Sequence, residues 1–175
     1  MILTGTGHRP AKLGGWANFE STRLPLLIDA VTTELSLLSD KFSVDRVLTG
    51  MAMGYDYALG MAALQLKIPV VAVIPFNDFD STWTYSYRRL YKQLLDLSAE
   101  YVVVTDDVNL DKKWEVNKAL DTRNKYLVDN SDILLALFDG TAKGGTYNCL
   151  MYASKKQPKM IIHNMWRKWE KANAG

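Results

Sequence analysis

Glycine-rich segments with basic neighbours recur along this sequence of 175 residues, and each of them follows a short apolar run. The first is TGTGHR, in which Gly5 and Gly7 are followed by His8 and Arg9. Glycine at the end of a strand allows a ligand to approach the backbone closely. The arginine side chain matches phosphate oxygens with two parallel hydrogen bonds. We therefore predict that this segment contacts an anion, with Arg9 as its cationic ligand.

A second segment, LFDGTAKGGT, leads directly into a predicted helix that begins around Gly144, Gly145 and Thr146. The start of a helix presents unpaired N–H groups and a partial positive charge, so glycines there form a site for phosphate oxygens. A third turn, TGMAMGYD, contains Gly50 and Gly54. Each turn alone could be only a tight connection, but three at one edge of a sheet favour a ligand site.

The sequence lacks two common phosphate-binding patterns. No turn matches GxGxxG as a dinucleotide fingerprint or GxxxxGK[ST] as a P-loop. Ordinary dehydrogenase and nucleotide-hydrolase functions are therefore disfavoured. No cofactor and no metal site is predicted, and the single cysteine, Cys149, lies in an apolar helical segment typical of packing.

Two carboxylates at strand-end turns could support cleavage of a glycosidic bond, which needs an acid close to the sugar. Asp56 falls in the first turn of a predicted helix, where an acid also interacts well with the helix dipole. Asp139 precedes Gly140, a common turn pair, and lies next to the predicted phosphate site, so ribose binding is an alternative to a turn role. Both residues are candidate catalytic acids and candidate ligand contacts.

Other candidate residues have a structural and a functional interpretation. His8 is either a hydrogen-bonded core histidine or a ligand contact, and Arg123 either binds a ligand or pairs with Asp121 or Asp129. A cluster of aromatic side chains could stack on a nucleobase or close a core; it comprises Trp83, Tyr85 and Tyr87.

The elements that would position these residues alternate between apolar runs and amphipathic segments. Such alternation is typical of a three-layer α/β fold of Rossmann-like type, with an open, mostly parallel sheet of about six strands and helices on both faces. Strands are predicted over residues 1–4, 46–49, 70–74, 101–105, 133–138 and 160–163, and helices over 24–39, 54–67, 81–97, 115–128 and 146–156. We expect one domain over residues 1–163 and a basic helical tail over 164–175.

Composition limits the function classes. Hydrophobic residues make up 48% of the chain and charged residues 23%, which is typical of a folded protein. A net charge of +2 without a basic stripe makes nucleic acid an unexpected partner. We find neither an apolar run long enough for a membrane span nor an export signal, and we expect a cytoplasmic location with no membrane association.

Several motifs, taken in order, resemble a known family. They are GHR, GMAMGYDYA, IPF followed by Trp83, RNKYLVDNSD and FDGTAKGGTYNCLMYA, and they extend from Thr4 to Ala153. This set is similar to the YpsA-like branch of the SLOG superfamily, which is related to the cytokinin-activating LOG phosphoribohydrolases and to DprA. The resemblance implies a Rossmann-like fold, a nucleotide or ADP-ribose-like ligand, and a homo-oligomer.

The resemblance also indicates where this chain departs from LOG enzymes. Their last loop is similar to PGGxGTxxE, whose glutamate serves N-glycosidic cleavage, and an arginine on the preceding helix helps to hold the substrate. This chain keeps Gly144, Gly145, Thr146 and Arg123, but Cys149 stands three positions after Thr146. We therefore expect binding or sensing of a phosphate-bearing nucleotide, including sequestration of a signalling nucleotide. The alternative is a nucleoside 5′-monophosphate N-glycosidase, and a DprA-like role in DNA processing is disfavoured.

Overall fold

One parallel sheet organises the protein. The computed structural model describes residues 1–156 and 159–173. Six strands lie in the order β4-β3-β2-β1-β5-β6, and every neighbouring pair is parallel. The strands are β1 (Ile2–Gly7), β2 (Arg46–Thr49), β3 (Val70–Ile74), β4 (Glu100–Val103), β5 (Ile133–Leu137) and β6 (Ile161–Asn164). The predicted α/β class with about six mostly parallel strands is therefore confirmed.

Helices connect successive strands, as parallel pairing requires. The described α-helices are α1 (Phe19–Thr22), α2 (Leu24–Phe42), α3 (Tyr55–Gln65), α4 (Tyr85–Leu97), α5 (Lys113–Asp129), α6 (Gly145–Lys156) and α7 (Trp166–Ala172), and a short 3₁₀ helix covers Pro10–Lys12. The α2 and α3 helices pack against each other on one face of the sheet, and α5 and α6 pack against each other on the other.

The central strands are buried on both faces because their apolar runs have no polar alternation. All five residues of β3 and all five of β5 are buried. Within β5, Leu135 belongs to the main core with the residues of α2 and α3, whereas Leu134 packs with Cys149 and Ala153 of α6. Alternate side chains of one strand thus anchor both helical layers.

The first strand is longer than predicted. We expected it to end at Thr4, but Gly5 and Gly7 continue the strand and pair with Leu135 and Leu137 of β5. A Cβ atom at Gly7 would lie 2.3 Å from the ring of Tyr55, so this glycine makes room for α3 across the strand. The two glycines therefore serve helix packing as well as backbone exposure.

The C-terminal segment differs in part from the predicted tail. Asn164, the first residue of that tail, ends β6, and the helix begins at Trp166. Trp169 is buried, and Lys168 donates to Glu34 of α2 over 2.6 Å, so α7 packs on the sheet–helix core. Residues 174 and 175 lie outside the described part. Within residues 1–156 and 159–173, none of the helices combines the length and apolar character needed to cross a bilayer.

Candidate functional site

A cleft opens at the carboxyl ends of β1 and β5. In an open α/β sheet, the crevice for a ligand forms where the chain leaves neighbouring strands in opposite directions. Here β1 is followed by β2 on one side and flanked by β5 on the other. The cleft has a volume of about 610 Å³, which lies within the usual range for small-molecule sites.

One wall of the cleft is the start of α6. Gly144 has φ +93° and lets the chain turn into the helix, which begins at Gly145. The first N–H groups of an α-helix have no partner within the helix, so they face outward with a partial positive charge. No acidic residue stands in the described first turn of α6 to neutralise it. The Thr146 hydroxyl donates to the Gly7 carbonyl over 3.1 Å and ties this helix start to the end of β1.

Arg9 also lines the cleft, and this residue is exposed. Partial desolvation by the surrounding protein lowers the pKa of Arg9, and the nearby Asp56 carboxylate opposes that effect. Arginine remains protonated under all ordinary conditions, so this side chain is a permanent cation. Lys12 and Lys143 also line the cleft. Lys143 adds to its positive charge, whereas Lys12 forms an ion pair with Asp139 over 3.0 Å.

A buried ion pair lies at the base of the cleft. Arg123 donates through Nη1 to Asp56 Oδ2 over 2.8 Å and to the Gly50 carbonyl over 2.5 Å. Arg123 is only 5% exposed and Asp56 8%. A Cβ atom at Gly50 would lie 1.5 Å from Nη1 of Arg123, so Gly50 is needed to make room for this guanidinium. Among the described residues, Arg123 Nε has no hydrogen-bond partner.

Asp139 contacts two residues that line the cleft, Lys12 and His8. Its carboxylate accepts from Lys12 Nζ over 3.0 Å and from the Thr141 N–H over 2.9 Å. Partial burial raises the pKa of this carboxyl, but these hydrogen bonds and the neighbouring His8 outweigh it and hold the pKa well below its usual range. Asp139 therefore remains ionised and is occupied by contacts within the protein.

His8 is buried beside Asp139. Its Nε2 lies 3.2 Å from the backbone nitrogen of Asp139 and 3.1 Å from the Asp139 carboxylate. It accepts from the Asp139 N–H when the ring proton is on Nδ1, and it donates to the carboxylate when Nε2 is protonated. Burial lowers the pKa of His8, although the Asp139 charge acts in the opposite direction. The ring also packs edge-on against Trp166, with centroids 5.6 Å apart, so His8 combines a core contact with a position on the cleft wall.

The cleft collects most of the candidate site residues. Those that line it are Gly5, Gly7, His8, Arg9, Asp56, Arg123, Gly144, Gly145 and Thr146. Gly50, Gly54 and Asp139 are not among the described residues that line it. Gly54 has φ +102°, and a Cβ there would lie 2.8 Å from the His8 carbonyl, so it allows α3 to start against the chain that follows β1.

Sequence reasoning missed several polar residues of the cleft: Lys12, Asn117, Asp121, Asn124, Lys143 and Asn148. Lys143 directly precedes Gly144 and Gly145, and this position in the sequence could have predicted that it borders the cleft. Three of these residues lie on α5: Asn117, Asp121 and Asn124. The sequence pattern of this helix does not indicate which of its faces borders the cleft.

Cys149 is not available as a nucleophile. It is 2% exposed and packs with Val128, Leu134 and Ala153. Burial raises the pKa of its thiol to about 11, so the reactive thiolate form is scarce at neutral pH. The packing role expected from its apolar surroundings agrees with this placement.

Comparisons with known proteins place this chain in one family. The model of the YspA SLOG family matches residues 3–166. An uncharacterized SPbeta prophage-derived protein of Bacillus subtilis, YoqJ, is 32% identical over 148 residues, which cover 79% of this chain and 82% of the relative. A UPF0398 protein of Halalkalibacterium halodurans is 25% identical over 167 residues, covering 89% of this chain and 82% of that protein.

Two solved structures share the fold. DNA processing protein A (DprA) from Streptococcus pneumoniae superposes with a TM-score of 0.56 at 17% identity, covering 88% of this chain and 47% of that protein. The structural genomics target TM1055 superposes with a TM-score of 0.50 at 15% identity, covering 87% of this chain and 67% of that one. This chain therefore spans just under half of the DprA structure.

Proposed function

Because the chain belongs to the YspA SLOG family, we propose that it binds a phosphate-bearing nucleotide or an ADP-ribose-like molecule in the cleft between β1 and α6. One observation carries the proposal. Arg9 and the N-terminal turn of α6 at Gly145 line the same cleft, so a cation and a set of free backbone N–H groups can act on one anion.

The charge balance of the cleft supports an anionic ligand. Its lining includes four cationic side chains, Arg9, Lys12, Arg123 and Lys143, and two carboxylates, Asp56 and Asp121. The charge of Lys12 is neutralised by Asp139, which is not among the described lining residues. Asp56 is paired with Arg123, and Asp121 with Lys125 over 2.6 Å, so neither carboxylate is free of a cation. Arg9 has no carboxylate within ion-pair distance among the described residues, and it is left to attract phosphate.

The arrangement of acids favours binding over hydrolysis. Cleavage of an N-glycosidic bond needs a carboxylate able to stabilise positive charge on the sugar. Asp56 lines the cleft, but its charge already stabilises the buried Arg123. Asp139 is not among the described residues that line the cleft, and its carboxylate accepts hydrogen bonds from Lys12 Nζ and from the Thr141 N–H. We propose that the protein senses or sequesters its nucleotide and leaves the ligand intact.

The proposed ligand is a small molecule rather than a nucleic acid, because the cations surround a concave cleft of small-molecule size. Native mass spectrometry of the protein as purified should reveal a bound nucleotide. Isothermal titration with ADP-ribose and AMP should then show binding that inorganic phosphate competes away. Binding of single-stranded DNA, with no response to either nucleotide, would contradict the proposal.

A matched pair of arginine variants tests the anion contact. Arg9→Gln should weaken ADP-ribose binding by about tenfold or more, because a charge-assisted hydrogen bond is lost. Arg167→Gln, which removes an exposed arginine on α7 outside the cleft, should leave the affinity unchanged. Equal affinities for the two variants would place the anion elsewhere.

A further inference from the structure

A second, smaller cavity of about 280 Å³ adjoins the cleft. Arg9 and Met53 line both cavities, so the two meet at these side chains. The remaining walls of the small cavity are aromatic side chains and threonines: Trp16, Thr82, Trp83, Thr84 and Tyr87. The aromatic surface therefore begins where the proposed anion site ends.

The wall formed by Trp16 is held in place from several sides. Leu13 and Phe19 are buried on either side of it in sequence and pin its loop to the core. The Tyr87 hydroxyl donates to the Trp16 carbonyl over 3.2 Å, and the two rings meet edge to face with centroids 5.3 Å apart. Trp16 nevertheless remains 47% exposed.

The wall formed by Trp83 is equally supported. Its ring packs against Phe79 at 5.0 Å and against Tyr91 at 5.5 Å between centroids. The backbone N–H of Trp83 donates to the Asp80 carbonyl over 3.0 Å, and the Asp80 carboxylate accepts a hydrogen bond from Arg88 Nε over 3.1 Å. Both walls are thus ordered by contacts that do not involve a ligand.

We propose that this cavity, defined by Trp16, Trp83 and Tyr87, is an aromatic subsite that takes a planar heteroaromatic ring of the bound molecule. The proposal rests on the proposed function, because the ring belongs to the same ligand whose phosphate lies beside Arg9 and Gly145. Aromatic side chains stack on any nucleobase, since every base presents a π face. The ligand class is therefore a nucleotide with its base retained rather than a bare sugar phosphate.

Size and preorganisation support this assignment. Sites for whole drug-sized ligands occupy about 300–1,000 Å³. A cavity of about 280 Å³ lies just below this range and suits one ring system, while the adjoining cleft of about 610 Å³ holds the sugar and phosphate. Binding to walls that are already ordered avoids much of the entropic cost of association.

Packing within the core does not account for the exposed position of Trp16. Tryptophan that only completes a core is largely buried, and Trp169 of this protein is 5% exposed. Trp16 instead stands on a loop with almost half of its surface exposed at the mouth of a cavity that is continuous with the cleft. A ring inserted there would cover this apolar surface.

The test compares two probes that differ only in the base. AMP and ribose 5-phosphate are titrated into the wild-type protein, Trp16→Ala, Trp16→Phe and Trp114→Ala. Trp114 is a matched control because it is 63% exposed on α5 and lines neither cavity. Thermal unfolding of each variant checks that the fold is retained.

We expect Trp16→Ala to weaken AMP binding by about tenfold, the usual loss when a stacking aromatic is removed, and to leave ribose 5-phosphate binding unchanged. Trp16→Phe should restore most of the affinity, and Trp114→Ala should alter neither probe. If the wild-type protein binds both probes equally well, or if Trp16→Ala weakens both equally, the subsite is refuted while the proposed function stands. If neither probe binds to the wild-type protein, both proposals fail.

Discussion

Arg123 and Asp56, which are 67 positions apart in sequence, form a buried ion pair 2.8 Å long at the base of the cleft. The pair joins the middle of α5 to the first turn of α3, and the Gly50 carbonyl accepts a second hydrogen bond from the same guanidinium. Sequence reasoning considered Asp121 and Asp129 as partners of Arg123, and the structure replaces both with Asp56. The arginine thus joins α5 and α3 at the base of the cleft.

The first prediction concerns this pair. Asp56→Asn leaves the buried Arg123 charge without a carboxylate, and breaking one half of a buried pair costs about 3 kcal/mol of unfolding free energy. Urea denaturation followed by circular dichroism measures the change. Asp121→Asn is the control, because it breaks an ion pair with Lys125 in which both side chains are 48% exposed, and such surface pairs contribute at most about 1 kcal/mol. Similar losses for the two variants would show that the Arg123 charge does not depend on Asp56.

The second prediction separates charge from bulk at the start of α6. Gly145→Asp should abolish ADP-ribose binding, whereas Gly145→Asn, which has the same shape without the charge, should bind at least about tenfold more tightly than the Asp variant. A Cβ at Gly145 has no heavy atom closer than 3.9 Å, and an acid in the first helical turn is favourable for the helix. The Asp variant should therefore unfold at the same or a higher temperature. Equal affinity in both variants would remove the phosphate from this position.

The third prediction is a pH dependence at Asp139. Its folded-state pKa is depressed, so its contribution to stability is present above the unfolded pKa and is lost as pH falls below about 4. Asp139→Asn should cost about 1 kcal/mol at pH 7, where Lys12 and Thr141 lose a charged acceptor. The difference from the wild-type protein should shrink between pH 4 and pH 2. A difference that stays constant over that interval would mean that the Asp139 charge does not stabilise the fold.

The fourth prediction concerns catalysis. Incubation of the purified protein with a panel of nucleoside 5′-monophosphates should yield intact nucleotide and no free base by chromatography, because Asp56, the candidate acid that lines the cleft, is paired with Arg123. Rapid base release that is lost in Asp56→Asn, with the fold retained, would instead establish the N-glycosidase alternative. Cys149→Ser should change neither outcome, because the thiol is buried.

Much of the fold was predictable from the chain itself. The runs VVAVI and ILLALF predicted buried parallel strands, and the structure places β3 and β5 there with both faces covered, although β5 ends one residue earlier, at Leu137. Boundaries were less accurate, since α4 was expected from Ser81 and begins at Tyr85. The intervening residues form turns that direct Trp83 against Phe79 and Tyr91, a tertiary contact that local helix preference does not reveal.

Part of the cleft lining was predictable, namely the residues whose position follows from the order of the strands. Arg9 lies in the segment that follows β1, and Gly144 and Gly145 end the loop that follows β5. The carboxyl ends of parallel strands share one edge, so their meeting in one cleft follows from the order of strands. Gly50 and Gly54 were assigned to the ligand from the same signal, but they make room for Arg123 and for the His8 carbonyl. A glycine pattern indicates a close approach without indicating which group approaches.

The sequence by itself determined the parallel α/β layering and the set of glycine-rich turns at one sheet edge, because hydrophobic period and turn chemistry are local properties. Only the tertiary structure decided which charges neutralise each other: Asp56 with Arg123, and Asp139 with Lys12. These pairs join segments far apart in the chain, and their formation depends on sheet order and helix packing. The same packing left Arg9 without a carboxylate within ion-pair distance among the described residues, and the anion site that we propose in the cleft rests on this cation.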